Sequence, residues 1–437
     1  MHHEIIKRWG YINLIDAFKE ANIRIGFTDF LETVGKYSNL EADHLVMRLL
    51  LSLYAIGSNT GLKRISIANP DASETELHYV KRRFINPTNV RLAIREVINA
   101  VISIRDPAIF GTATTTVACD SKKLNAWDQN LINEWHGRYK GHGIMVYWHV
   151  DTNALCIYSQ SKTCTSSEVG AMIKGVLEHS TKMDLNAAYV DTHGQSSIGF
   201  GACKLLDFQI LPRLKNIHKQ KLYMVSDSDK DVYTNLTTIM KDSIQWKHIE
   251  EHYDEAVKHL VALKTGLVEA DVFIKRFSKD NYKHPAYKAL CEIGKAAKTI
   301  FLCDYLQHEE LRIEINEGLN IVERLNSVMN FFFYGKLGEV NSNDPEEQEL
   351  SILCLHLLQA CSVYINTLLI QEILSDPIWR NRLTPEDYRA LSPLIHSHFN
   401  PYGTFLLDLA KRLMIGIEDS THENASQRES EAISQIA

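Results

Sequence analysis

Two short apolar runs, Thr-Val-Ala-Cys-Asp ending at Asp120 and Ala-Ala-Tyr-Val-Asp ending at Asp191, constrain this chain more than any other feature. Each is rich in small, β-branched or aromatic residues and each stops at an aspartate, the pattern of a buried strand that delivers a carboxylate to its carboxyl end. The segments around them share that texture. Residues 115–119, 144–150 and 154–160 read as strands, and the last two are separated only by Asp151, Thr152 and Asn153, which predicts an antiparallel hairpin. Residues 166–179 have helical spacing, with Val169, Ile173, Val176 and Leu177 on one side. A strand over 187–190, a helix through Leu206 and a strand over 208–211 complete the order. Strand, hairpin, helix, strand, helix, strand predicts an α/β unit with a mixed sheet and helices packed on it.

The flanks are helical. Before about residue 110, residues 45–56, 61–68 and 89–104 are apolar at helical spacing, and a further helix starts at the capping box of Ser73 and Glu76 and carries Lys81, Arg82 and Arg83 near its end. Short helices joined by a tight turn, the second ending in bases, have the outline of a helix-turn-helix, an outline many packed helical subdomains share. Beyond Leu222 the sheet pattern stops. Residues 246–306 read as helices broken at Gly266 and at His284-Pro285, and they look like an insertion. A long helix over 311–332, a turn at Gly335 and Gly338, and an apolar helix over 348–374 follow. The expected division is a helical region 1–110, core strands 111–222, a helical insertion 223–310, a long helix with carboxyl-terminal helices 311–420, and a polar disordered tail 421–437.

Composition excludes several classes. No uninterrupted apolar run approaches the roughly 18 residues that span a bilayer, and residues 1–10 are charged early, so a soluble intracellular protein without membrane partners is expected. Eight cysteines have no C-x-x-C pair and are expected to be reduced, and nineteen histidines form no H-E-x-x-H or finger pattern, which argues against structural zinc. A net charge of -7 argues against indiscriminate coating of nucleic acid, so any phosphate contact must use local patches. Arg213, Lys215, His218, Lys219 and Lys221 form one such patch, with a solvated face as the plain alternative.

Asp120 and Asp191 sit where ligand sites gather in open sheets. A lone aspartate there is commonly a loop cap; two in one sheet suit hard Mg²⁺, which needs carboxylate oxygens held by rigid elements. A third acid on the long helix is Glu317 or Glu323. Asn316, Asn320, Glu323 and Ser327 step by four, three and four residues and share one face, which a solvent-facing stripe would also do. If three acids converge, repulsion raises at least one pKa until divalent metal relieves it, and two ions then suit in-line phosphodiester displacement.

Ordered blocks carry a resemblance. They are A-C-D-S-K-K-L-N-A-W-D-Q-N around Asp120, Y-W-H-V at 147–150, Y-V-D-T-H-G-Q-S from Tyr189, L-P-R-L-K from Leu211 and G-L-N-I-V-E-R-L-N from Gly318. F-Y-G-K-L-G-E at 333–339, Q-E-L-S-I-L-C-L-H-L-L-Q at 348–359 and L-T-P-E-D-Y-R-A-L-S-P-L-I at 383–395 extend it. From near its start to about Asp408 the chain resembles the catalytic region of the large replicative transposases of the Tn-three family of bacterial class II transposons.

That resemblance implies a ribonuclease H-like fold with a helical insertion before the last acid, and a metal-binding catalytic triad of Asp120, Asp191 and, through L-N-x-x-E, Glu323, with Glu317 as runner-up. It implies Mg²⁺ (or Mn²⁺), two ions, nicking of transposon 3′ ends and attack of the hydroxyl on target DNA, in a bacterial cytoplasm and on the nucleoid when DNA is bound. Lys122 and Lys123, beside the first acid, join Arg213, Lys215, Lys219 and Lys221 as expected DNA contacts. Expected partners are transposon ends and target DNA, further copies of the chain on DNA, and an intact transposase or separate end-binding region. Nothing in the chain corresponds to the family's long amino-terminal end-recognition region, which points to a truncated gene product or one half of a split enzyme. A catalytically silent DNA-binding or regulatory partner of intact transposase is the alternative expectation.

Overall fold

The computed structural model describes residues 1–33, 41–111, 115–127, 134–137, 140–277 and 284–416; the polar tail from residue 421 lies outside them. The amino-terminal part is built from α1 (His2–Trp9), α2 (Leu14–Ile25), α3 (Ala42–Gly57), α4 (Leu62–Ala68), α5 (Glu74–Phe84), α6 (Pro87–Ile104) and α7 (Pro107–Phe110). The start of α5 is set by the capping box read from the sequence, with Ser73 and Glu76 bonding reciprocally, and α6 is entered through the Asn86 side chain and Pro87. Of the bases near the end of α5, Lys81 pairs with Glu347 and Arg83 donates to the Thr33 hydroxyl, so two of the three serve contacts within the protein.

The chain then enters the sheet. Numbering strands from the short β1 (Ile12–Asn13), the sheet contains β2 (Thr116–Ala126), β3 (Glu134–His136), β4 (Gly141–Asp151), β5 (Cys156–Lys162), β6 (Ala187–Val190) and β7 (Gln209–Pro212). β4 is antiparallel to both β2 and β5, whereas β6 and β7 run parallel to β2. The crossovers between β5 and β7 are α8 (Glu168–Glu178) and α9 (Ser197–Leu205), as parallel pairing requires. A small parallel pair, β8 (Leu222–Met224) with β9 (Met240–Ser243), follows. It contradicts the expectation that strand structure ends at Leu222: strands of three or four residues between turns show no alternation to read.

Three helices, α10 (Trp246–Lys264), α11 (Ala270–Arg276) and α12 (Pro285–Gln307), fill the expected insertion. The long α13 (Glu309–Phe332) leads to β10 (Glu339–Val340), which pairs with the far end of β2, and then to α14 (Pro345–Ser375), α15 (Pro377–Arg380) and α16 (Pro385–Ala390). Finally, β11 (Phe399–Asn400) returns to pair with β1.

Residues 144–151 of β4 are buried without alternation, because both faces of the sheet are covered. On one face His149 bonds the Met172 carbonyl of α8; on the other, Trp148 meets the His356 ring of α14. Each fully buried large apolar side chain in this layer contributes about 1.5–3 kcal/mol through removal from water. α14 is long and apolar enough to cross a bilayer, contrary to the run-length expectation, since Gln359, Ser362 and Asn366 interrupt the apolar run without lowering its mean hydropathy below the spanning range. Its whole apolar window is buried in the fold, packed between the amino-terminal helices and the sheet. The described architecture is a mixed α/β core whose sheet is flanked by amino- and carboxyl-terminal helices. The eight cysteines are free, five of them buried.

Candidate active site

The parallel register between β2 and β6 ends with Cys119 opposite Val190. The next residue in each segment is an acid, so Asp120, still within β2, and Asp191, just past the end of β6, are neighbours on one face. Asp120 does not end its strand as expected; β2 runs on to Ala126, held by β4, and what stops at Asp120 is the pairing with β6. Burial, and secondarily the like charges of Glu168 and Asp191, push the Asp120 carboxyl up to about 6, opposed by the Ser121 N–H, which donates to it at 2.7 Å, and by Arg213. Asp191 opens the turn Thr192–Gln195 and accepts from Arg213 Nη2 at 3.1 Å. Arg213 is itself fixed, its N–H donating to the Val190 carbonyl and its carbonyl accepting from Gln195 Nε2.

α13 lies over this face. Gly318 rests on the Tyr189 ring, where a Cβ would collide, so glycine sets how closely helix and strand approach. Eight residues on, the Asn326 carbonyl accepts from Lys122 Nζ at 2.7 Å. Between these anchors the helix carries Glu323, exposed and one turn before Asn326. Glu317 is exposed too, and a rotation of 100° per residue places it about 120° around the helix from Glu323. The structure thus brings Asp120 and Asp191 together and lays the Glu323 helix across the same face, with the Glu323 carboxylate in solvent.

Glu168 was not singled out from the sequence. At the start of α8 it accepts from Ser121 Oγ at 2.8 Å, and its charge is felt by Asp120 and by half-buried Lys162. An acid in a first turn is ordinary complement to the helix dipole, so nothing in the sequence separated it from a cap. Among the expected DNA contacts, Lys122 is committed to Asn326, its pKa lowered to about 8 by burial, and Arg213 to Asp191. Lys123 is half-buried on the opposite side of β2, and Lys215 and Lys219 are exposed. Lys221 is exposed 3.8 Å from Asp242.

A separate group can hold a metal ion: Glu255, His259 and His284 place one ligand atom each within 4.8 Å of the others. Histidine spacing in the sequence did not reveal this grouping. The third ligand is 25 positions from the second and no local motif includes it.

The chain is similar to curated transposases over most of its length. It is 27% identical over 376 residues to the transposase for transposon Tn2501 of Escherichia coli, covering 82% of this chain and 36% of that protein. It is 23% identical over 418 residues to the transposase for transposon Tn501 of Pseudomonas aeruginosa, 92% of this chain and 42% of the other. It is 25% identical over 412 residues to the transposase for transposon gamma-delta of Escherichia coli strain K12, 93% and 40%. The chain therefore spans about two-fifths of the length of these relatives. A sequence model of the family described as Tn3 transposase DDE domain matches residues 16–405, and with that extent of match the chain belongs to the Tn3 transposase DDE-domain family.

Proposed function

We propose that this chain is the catalytic region of a DNA transposase, with a ribonuclease H-like core in which Asp120, Asp191 and Glu323 hold divalent metal for 3′-end nicking and strand transfer. The observation that carries the reading is the register that sets Asp120 beside Asp191 under the helix bearing Glu323. The mixed sheet, with β4 antiparallel to β2 and β5 and with β6 and β7 added parallel to β2, supports the fold assignment.

The donor set fits Mg²⁺ or Mn²⁺, since it offers carboxylate oxygens held by fixed backbone, and the Asp120 carboxyl, raised first by burial and then by the nearby Glu168 and Asp191, is one whose ionised form a cation would favour. Two such ions, when bound, would activate the attacking oxygen and stabilise the leaving oxygen of a phosphodiester. The residues of the chain then have distinct tasks. Asp120 and Asp191 would offer ligands from fixed backbone, and Glu323 of α13 would complete the set. Arg213 restrains Asp191 and stands ready for a phosphate. Lys123, Lys215, Lys219 and Lys221 contact DNA backbone, while Lys122 ties β2 to α13 and thereby positions Glu323. DNA, further copies of the chain and an end-binding region or intact transposase are the proposed partners, in the bacterial cytoplasm.

Labelled transposon-end DNA incubated with Mg²⁺ and the chain, alone and beside a full-length transposase, tests the reading. Nicked 3′ ends joined to target support it. Hydrolysis without joining would indicate a nuclease, and no chemistry in either arm would leave a DNA-binding partner of intact transposase.

A further inference from the structure

Glu255 and His259 stand four residues apart on α10, so they share one face, and His284 caps the entry to α12. Nε2 of His284 lies 3.9 Å from Oε1 of Glu255, and the two imidazoles meet edge to face with centroids 5.4 Å apart. Phe277 closes one side, edge-on to His259 at 5.2 Å and to His284 at 5.6 Å. Nδ1 of His284 is buried without a hydrogen-bond partner, which leaves Nε2, turned toward the carboxylate, as the nitrogen the ring can use.

We propose that Glu255, His259 and His284 form a transition-metal site, selective for Zn²⁺ over Mg²⁺, that ties α10 to the entry of α12. Two imidazole nitrogens and one carboxylate oxygen suit zinc, whereas Mg²⁺ requires near-octahedral oxygen ligands. Ligands on a tetrahedral zinc stand roughly 3.3 Å apart, from metal–ligand distances of about 2.0–2.1 Å. The 3.9 Å gap therefore closes with a small rotation of Glu255, whose side chain is 45% exposed and free to turn. Three protein ligands leave the fourth position to water.

The site has a structural consequence. α12 is the insertion helix that packs on α9, with Gly294 against the backbone of Ser197 and Gly201, and its Lys298 donates to the Gln195 carbonyl. Metal at its amino end would tie α10 to the helix that packs on the segment following Asp191, and so stiffen the insertion itself. The proposal shares no ligand with Asp120, Asp191 or Glu323 and does not depend on the function assigned to them.

The test uses the full chain, stripped with chelator and titrated with Zn²⁺ in millimolar Mg²⁺, which occupies oxygen-only sites. The expected result is one Zn²⁺ per chain, preferred over Mg²⁺ by at least about a hundredfold, with a rise in Tm on saturation. His259→Asn and His284→Asn should abolish both effects, and Asp120→Asn should keep them. Because the imidazoles also pack on Phe277, Glu255→Gln serves as a variant outside that packing and should weaken Zn²⁺ at least about tenfold. Failure of the stripped wild type to take up Zn²⁺ in excess Mg²⁺ would overturn the proposal, as would wild-type Zn²⁺ affinity in Glu255→Gln or His259→Asn.

Discussion

Two claims compete for the carboxylate of Asp191. Arg213 donates to one oxygen at 3.1 Å, and its positive charge would oppose a divalent ion bound at the same carboxylate. The Arg213 side chain is 41% exposed, which limits the pair to about 0.2–1 kcal/mol. Arg213→Gln should therefore tighten Mg²⁺ binding by about two- to fivefold, measured by calorimetric titration with Zn²⁺ already saturating, because a competitor is removed and a positive charge is lost. Weaker Mg²⁺ binding in that variant would mean that Arg213 orients Asp191 for the metal. The same residue shows what a sequence reading cannot see at this scale. Arg213 belonged visibly to a basic run, but the carboxylate it meets is 22 positions earlier and is brought to it by the pairing of β6 with β7.

The element that fastens sheet to helices is α14, and His356 is its bond to the edge strand. Cys156 O can only accept, so Nε2 of His356 carries the proton toward it at 2.9 Å, and Nδ1 accepts from Ser159 Oγ at 2.9 Å. Burial pushes this imidazole down to about 4. A histidine whose folded pKa lies below its unfolded value contributes stability that is present above about pH 6.5 and lost as the pH falls toward 4. Between pH 7 and 4.5 this group should cost the wild type about 2 kcal/mol. Denaturant titrations should show His356→Gln less stable at pH 7 by about 1–3 kcal/mol, yet losing about 2 kcal/mol less on acidification. An unchanged pH slope would mean that His356 is not the titrating tie.

Elements of this kind were largely legible. Residues 187–190 form a strand as read, and the helices expected over 89–104, 311–332 and 348–374 form with ends moved by a few residues, because periodicity and caps are local signals. The far half of β2 was hidden by Lys122 and Lys123. Their charges look like loop, but one ammonium is satisfied by a helix carbonyl and the strand continues between β4 and β10. Glu168 and the Glu255, His259 and His284 group were illegible for a shared reason: each acquires meaning only from a residue distant in the chain.

At the scale of the whole molecule the chain is acidic, with 54 acidic against 47 basic residues, so attraction to DNA must come from where the cations lie. Lys215 and Lys219 are exposed just beyond the strand that supplies Arg213. Replacing both with Gln should weaken binding alike for cognate and scrambled duplex and flatten its salt dependence by up to about 0.9 log unit per lost phosphate contact. A loss confined to one sequence would assign these residues to base reading; unchanged affinity would return them to a solvated face.

Asp120, Asp191 and Glu323 are proposed to act as a single metal site, and single-turnover nicking of end-labelled transposon DNA in Mg²⁺ reads whether they do. Asp120→Asn, Asp191→Asn and Glu323→Gln should each slow nicking by on the order of a hundredfold or more without loss of folding, and Glu317→Gln should stay within a few-fold of wild type. Nicking that survives Glu323→Gln and fails in Glu317→Gln would give the third ligand to Glu317 and overturn the triad.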